Sequence, residues 1–167
     1  MKKIFALPII ALIVLAGCSK KENKCNFTDS TVVAPAAEQQ ALQDSLTALG
    51  IHATLAPAGF FYNINQPGSG PSVTNLCTTI AVFYRGGFLN GTGFDSTHGN
   101  PAIFQLGQVI PGWQKAIPLV AKSGDITLYI PPSLGYGAND VTDPSTGKVV
   151  IPANSNLVFH VVVADIQ

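Results

Sequence analysis

The sequence predicts one sheet-rich domain of mixed strands and helices, an α+β fold, and three observations lead there. Apolar residues alternate with a period of two over residues 80–84, 126–130 and 157–163. Helical spacing is confined to two places, residues 42–49 and 113–120. The 16 Gly and 12 Pro lean toward a loop-rich fold that contains a sheet. A length of 167 residues suits one domain with an appendage, and 47% hydrophobic against 11% charged residues allows a sizeable core. With 9 basic and 9 acidic residues, the balance gives no pull toward nucleic acid or acidic polymers.

The chain opens with a basic Met1-Lys2-Lys3 and an apolar run over residues 4–15, too short to span a bilayer comfortably. It ends in Leu15-Ala16-Gly17-Cys18, which resembles the lipobox of bacterial lipoproteins. The resemblance implies a leader over residues 1–17, cut before a diacylated Cys18, and a membrane-anchored protein of the bacterial cell envelope. The inner and outer membranes both remain open, as does the face. A plain secretory leader with an incidental cysteine is the competing reading. Cys25 and Cys77 are the other two cysteines; in an oxidising compartment they either pair or stay separate thiols, and spacing does not choose.

Residues 18–35 are polar and without period, and read as a flexible tether. An amphipathic helix is expected over 36–50, with Leu42, Leu46 and Leu49 on one side, Pro35 at its start and Gly50 as a left-handed cap that lets Ile51 fold back on Leu46. Packing on its own domain is the commoner outcome for such a helix; a helix-mediated dimer is the other, and a monomer is expected. Gly59-Phe60-Phe61-Tyr62-Asn63-Ile64 reads as a strand closed by the turn cluster of residues 66–71.

Residues 80–96 organise the rest. Ile80, Val82 and Tyr84 begin a strand, Gly86-Gly87 is expected to break it, and Asn90-Gly91 with Gly93 supplies a tight reversal. The chain returns with Phe94-Asp95, so a phenol and a ring-plus-acid pair can face one shallow pocket. Residues 101–107 read as a strand with Phe104 and Leu106 on one face. Pro111 suits a helix start, and Trp113, Ala116, Ile117 and Val120 follow at helical spacing until Pro118 limits the helix to about two turns. The lone Trp113 either floors a cavity or is simple core, and spacing alone favours core. A strand over 125–130 runs into the stiff Pro131-Pro132 loop carrying Tyr136, a polar loop fills 139–148, and a long strand closes the chain at 156–166.

The familiar catalytic sets are missing: His52, His98 and His160 are scattered, and Gly91-x-Gly93 lacks the third glycine and helix of a nucleotide fold. What the residues do offer is an aromatic-lined apolar pocket with a few polar groups.

Six motifs in order carry a resemblance to the FKBP-type peptidyl-prolyl isomerases over about residues 59–167: Val82-x-Tyr84-x-Gly86, Gly93-Phe94-Asp95-Ser96, Leu106-Gly107, Val109-Ile110-Pro111-Gly112-Trp113, Ile130-Pro131-Pro132-x-Leu134-x-Tyr136-Gly137-Ala138, and Ile151-Pro152 with Leu157-Val158-Phe159. The resemblance implies an antiparallel sheet of about five strands wrapped around one short helix, here with an N-terminal helical extension. It assigns Tyr84, Phe94, Asp95, Ile110, Trp113, Tyr136 and Phe159 to catalysis and Val109, Ile151 and Phe104 to substrate binding. Trp113 would floor the pocket, the Ile110 N–H and Tyr136 hydroxyl would bond substrate carbonyls, and Asp95 would orient polar groups at the rim. Two features depart from the family pattern: Ala102 stands where an aromatic is common, and the 139–148 loop is longer than in minimal members and overhangs the substrate side.

The implied activity is isomerisation of X–Pro bonds in unfolded or nascent polypeptides, assisting folding in the envelope, with no cofactor, metal or nucleic acid. The membrane would be engaged through lipid on Cys18. A binding module or chaperone that turns over little is the alternative, and a structural lipoprotein with an unused pocket is a third.

Overall fold

A computed structural model describes residues 25–167. The leader expected over residues 1–17, the expected lipidation site Cys18 and the first part of the tether lie outside the described residues. Helix α1 spans Ala36–Ala48 and is followed by β1 (Thr54–Leu55), β2 (Phe61–Gln66), β3 (Thr79–Phe88), β4 (Gly93–Ser96) and β5 (Ala102–Gln105). Helix α2 covers Pro111–Ala116, and β6 (Asp125–Ile130), β7 (Val141–Thr142), β8 (Val149–Ile151) and β9 (Leu157–Ile166) complete the chain.

One antiparallel sheet runs in the order β1-β2-β6-β9-β3-β4, with β5 also on β3. It has seven strands rather than about five. The excess has a simple origin. The free side of β3 is shared by two short strands, β5 along Thr79–Val82 and β4 along Arg85–Gly87, and the two-residue β1 adds an edge on β2. The β7–β8 pair is a separate hairpin built partly from the stretch expected to be loop, so residues 149–151 join it rather than the main sheet.

Alternation puts Leu157, Phe159, Val161 and Val163 of β9 on a fully covered face. That face holds the main core, in which Trp113, Ala116 and Ile117 pack with Ile80, Val82, Ile126 and Leu128. The opposite face meets α1: Leu42 and Leu46 pack on Phe61 and Tyr129, with Ile51, Leu89 and Val158 at the margin. The cap of α1 follows from Gly50 at φ +68°: the Gly50 N–H reaches the Thr47 carbonyl (3.0 Å) and the Ile51 N–H the Leu46 carbonyl (2.9 Å). So the sheet lies between a short internal helix and an added outer one.

Three local expectations are corrected. Strand β3 does not break at Gly86-Gly87 but continues to Phe88 through a register shift. A Cβ on Gly86 would come within 2.6 Å of the Phe159 ring and 2.9 Å of the Phe94 ring. Glycine there admits two aromatics onto the strand backbone. Leu106 leaves the β5 strand and opens a 3-10 turn, Leu106–Gln108, which buries it fully. The described part of the tether, residues 25–35, lies against the domain. Cys25 and Cys77 are disulfide-bonded with Cα atoms 5.5 Å apart, Phe27 covers Gly107, Lys115 donates to the Ser30 carbonyl, and the Ala34 N–H reaches the Ala58 carbonyl at 2.9 Å.

Candidate active site

The pocket begins with packing that glycine and proline permit. Pro111 holds Ile110 extended (φ −59°, ψ 150°) and opens α2 at a position that needs no N–H. A Cβ on Gly112 would meet Ile130 at 2.8 Å, so glycine lets α2 sit tightly on β6. Trp113, one residue later and 4% exposed, is thereby pressed between helix and sheet. Three rings meet it edge-on: Tyr84 (5.4 Å, 85°), Phe159 (5.3 Å, 87°) and Phe104 (6.2 Å, 88°). Near-perpendicular pairs are the arrangement that aromatic quadrupoles favour. The result is a cavity of about 250 Å3 lined by those four rings with Val109, Ile110, Gln108, Asp95 and Tyr136. That is smaller than the roughly 300–1,000 Å3 of sites for drug-sized ligands. It suits one ring-bearing residue with its flanking amides.

Polar groups stand at the rim. The Tyr84 hydroxyl donates to Asp95 Oδ2 at 2.5 Å. Burial first, then that bond and the carboxylate charge, holds the Tyr84 proton well above the ordinary tyrosine range. Burial and then Asp95 also raise Tyr136. Both phenols are therefore neutral donors at physiological pH. The Ile110 N–H donates to no acceptor among the described residues. Its loop is held from below by Gln114, whose Nε2 donates to the carbonyls of Val109 (2.8 Å) and Gly107 (3.3 Å). The single carboxylate of the lining is occupied by a phenol, and among the described residues no nucleophile–base pair faces the cavity.

The raised phenols give an alkaline prediction. A native state that keeps protons which the unfolded chain releases near pH ~10 binds more protons than the unfolded state, so stability falls as pH climbs. The contribution of Tyr84 and Tyr136 is whole below the unfolded value and is lost as pH rises through the folded ones. Phenolate absorbance is expected to show three of the four tyrosines titrating late in the folded chain, because burial raises Tyr129 as well. The stability loss above pH ~10 is expected to be shallower in Tyr84→Phe.

The structure gathers Tyr84, Asp95, Phe104, Val109, Ile110, Trp113, Tyr136 and Phe159 around the cavity. Two expected members stand back from it. Phe94 lies one layer out, its ring 5.6 Å from Phe159 and 5.2 Å from Phe88. Ile151 is buried in the main core. Two residues went unmarked in the sequence, Gln108 in the lining and Gln114 beneath it. Periodicity is blind to polar residues in turns, but both flank the Val109–Trp113 motif directly. Ala102 of β5 pairs with Val82 of β3, two positions before Phe104, which forms a wall from the same face of that strand.

A profile of the family described as FKBP-type peptidyl-prolyl cis-trans isomerase matches residues 71–164. FkpA of Buchnera aphidicola subsp. Schizaphis graminum is 39% identical over 112 residues, covering 66% of this chain and 42% of that protein. FkpA of Buchnera aphidicola subsp. Baizongia pistaciae is 33% identical over 154 residues, 89% of this chain and 58% of its own length. The crystal structure of FkpA from Escherichia coli superposes with a TM-score of 0.65 at 32% identity, covering 79% of this chain and 61% of that one. The chain thus spans about half the length of the curated relatives it matches.

Proposed function

The chain belongs to the FKBP-type peptidyl-prolyl cis-trans isomerase family, and on that premise we propose that it accelerates isomerisation of X–Pro bonds in unfolded or freshly secreted polypeptides. The observation that carries the reading is the indole floor walled by upright rings, with the Ile110 N–H and the Tyr136 hydroxyl at its edge. Amide resonance sets a barrier of ~18–20 kcal/mol, and twisting breaks no bond. The twisted amide has less charge separation than the planar one, so a dry aromatic cavity favours it relative to water. In this reading the prolyl ring rests on Trp113 while Ile110 and Tyr136 hold the flanking carbonyls. Asp95 fixes the Tyr84 ring against Trp113 and does no covalent chemistry. Lowering the barrier by ~4–8 kcal/mol corresponds to about three to six decades in rate.

The reading extends to location: the basic start, apolar run and Leu15-Ala16-Gly17-Cys18 support an isomerase held by lipid on Cys18 in the cell envelope, acting on chains that arrive unfolded. There unaided X–Pro bonds take tens to hundreds of seconds to equilibrate. Cys18→Ser is expected to move the protein from the membrane to the soluble fraction; an unchanged distribution overturns the anchor. The activity is tested with a short X–Pro peptide and the chain beginning at Ser19, wild type beside Asp95→Ala. Clear acceleration that drops about tenfold or more in Asp95→Ala is expected, the loss of a charge-assisted bond at the wall. A folded wild type that gives no acceleration turns the assignment toward a binding module.

A further inference from the structure

We propose that Glu38, on the added helix α1, is a positioning residue for Tyr136, a proposal that rests on the isomerase reading of the pocket. Tyr136 is 42% exposed and stands between Gly135 and Gly137, so its own side chain does little to fix it. Its backbone is tied on both sides: after it the Gly137 carbonyl accepts from the Asn154 N–H at 2.8 Å, and before it stands the turn. The N–H groups of Gly135 and of Gly137 both reach the carbonyl of Pro132, each at 2.9 Å. The Pro132–Leu134 turn therefore holds the upstream side of Tyr136, and its orientation contributes to where the hydroxyl stands.

That turn cannot cap itself. Pro131 and Pro132 have no N–H and no side-chain acceptor, so Ser133 carries the first free donor of the turn. The Ser133 hydroxyl is buried without a partner among the described residues and gives no help. The donor is instead met from 95 residues away: the Ser133 N–H donates to Glu38 Oε2 at 3.0 Å. Glu38 is half-buried in the first turn of α1, one helical turn before Leu42. Leu42 and Leu46 root the helix in the sheet through Phe61 and Tyr129. A rigid element thus presents a charged acceptor to the loop that carries the rim hydroxyl. Helix α1 lies before the 71–164 stretch that matches the family profile, so this support is an addition to the common domain.

The test uses the chain from Ser19 with Glu38→Ala, Glu38→Gln and Tyr136→Phe, singly and combined. Glutamine keeps an oxygen acceptor, so Glu38→Gln is expected to retain most of the wild-type kcat/KM while Glu38→Ala loses several-fold. In a Tyr136→Phe background the Glu38→Ala loss is expected to vanish, because the two act through one group. A loss of the same size in both backgrounds overturns the proposal, as does a loss not rescued by glutamine. A second readout does not depend on turnover: amide exchange at Ser133 is expected to quicken about tenfold or more in Glu38→Ala, the loss of a hydrogen bond to a charged group, while Leu128 in β6 is unchanged. Ser133 protection equal to wild type also overturns it. A wild type without isomerase activity sinks the functional reading, and the exchange arm then decides alone whether Glu38 holds the loop.

Discussion

Trp113→Ala is expected to cost more than any other single change in the pocket, in stability and in rate together. The side chain is 4% exposed and belongs to the main core, so truncation leaves a cavity that the surrounding sheet cannot fill. Losses of ~3–5 kcal/mol are typical for such aromatic deletions. Tyr84, Phe104 and Phe159 would each also lose a perpendicular partner, a geometry worth about 0.5–1.5 kcal/mol per pair. Denaturant unfolding followed by circular dichroism measures the loss, because the change removes the only tryptophan. A second variant separates the two effects. Trp113→Leu keeps much of the apolar volume but removes the flat surface, and is expected to stay folded while kcat/KM falls ~10–100-fold, about 1.4–2.7 kcal/mol. A leucine variant with wild-type turnover would show that the indole is packing alone.

Reduction of the Cys25–Cys77 bond is expected to give the second large effect. The cysteines are 52 residues apart, and closing a loop of that length removes about 4 kcal/mol of chain entropy from the unfolded state in the loop-entropy account. Reduction also frees the strap from Phe27 to Ala34, which covers Gly107 and is pinned at Ser30 by Lys115. Urea unfolding with and without reductant, repeated on Cys77→Ser, is expected to show a loss of about 2–5 kcal/mol that reductant does not deepen in the variant. A difference below about 1 kcal/mol would overturn the loop-entropy account, the strap freed in the native state then offsetting what the unfolded chain regains. Because Phe27 rests on the residue whose carbonyl Gln114 also holds, a modest fall in kcat/KM is expected alongside.

The parts of this molecule that repeat were the readable ones. Alternation in residues 125–130 and 157–166 located β6 and β9 closely, since a strand with one covered face must place apolar residues at every second position. Pro111 and Gly50 marked helix ends because their backbone preferences are local. Short pairings were not readable. Two-residue strands such as β1 and β7 contain too few positions to show a period. Gly86 misled because its meaning is tertiary: it looks like a break along the chain and is a seat for two rings in space. The aromatic residues around Trp113 were named from motifs, yet the same motifs put Phe94 and Ile151 in the lining, and only packing shows Phe94 one layer out and Ile151 in the core. Contacts such as Glu38 with Ser133 join polar residues that no pattern connects.

The place of β9 bears on how such a chain is made. It lies between β3 and β6, pairing with both along most of its length, and Gln167 exchanges two backbone bonds with Thr79. Until residue 166 has left the ribosome, the sheet is two halves with a gap where its middle strand belongs. No partial product can bury the face that closes over Trp113, and the contacts that complete it are far apart in sequence. A chain built this way closes its pocket late, once β9 has docked between β3 and β6.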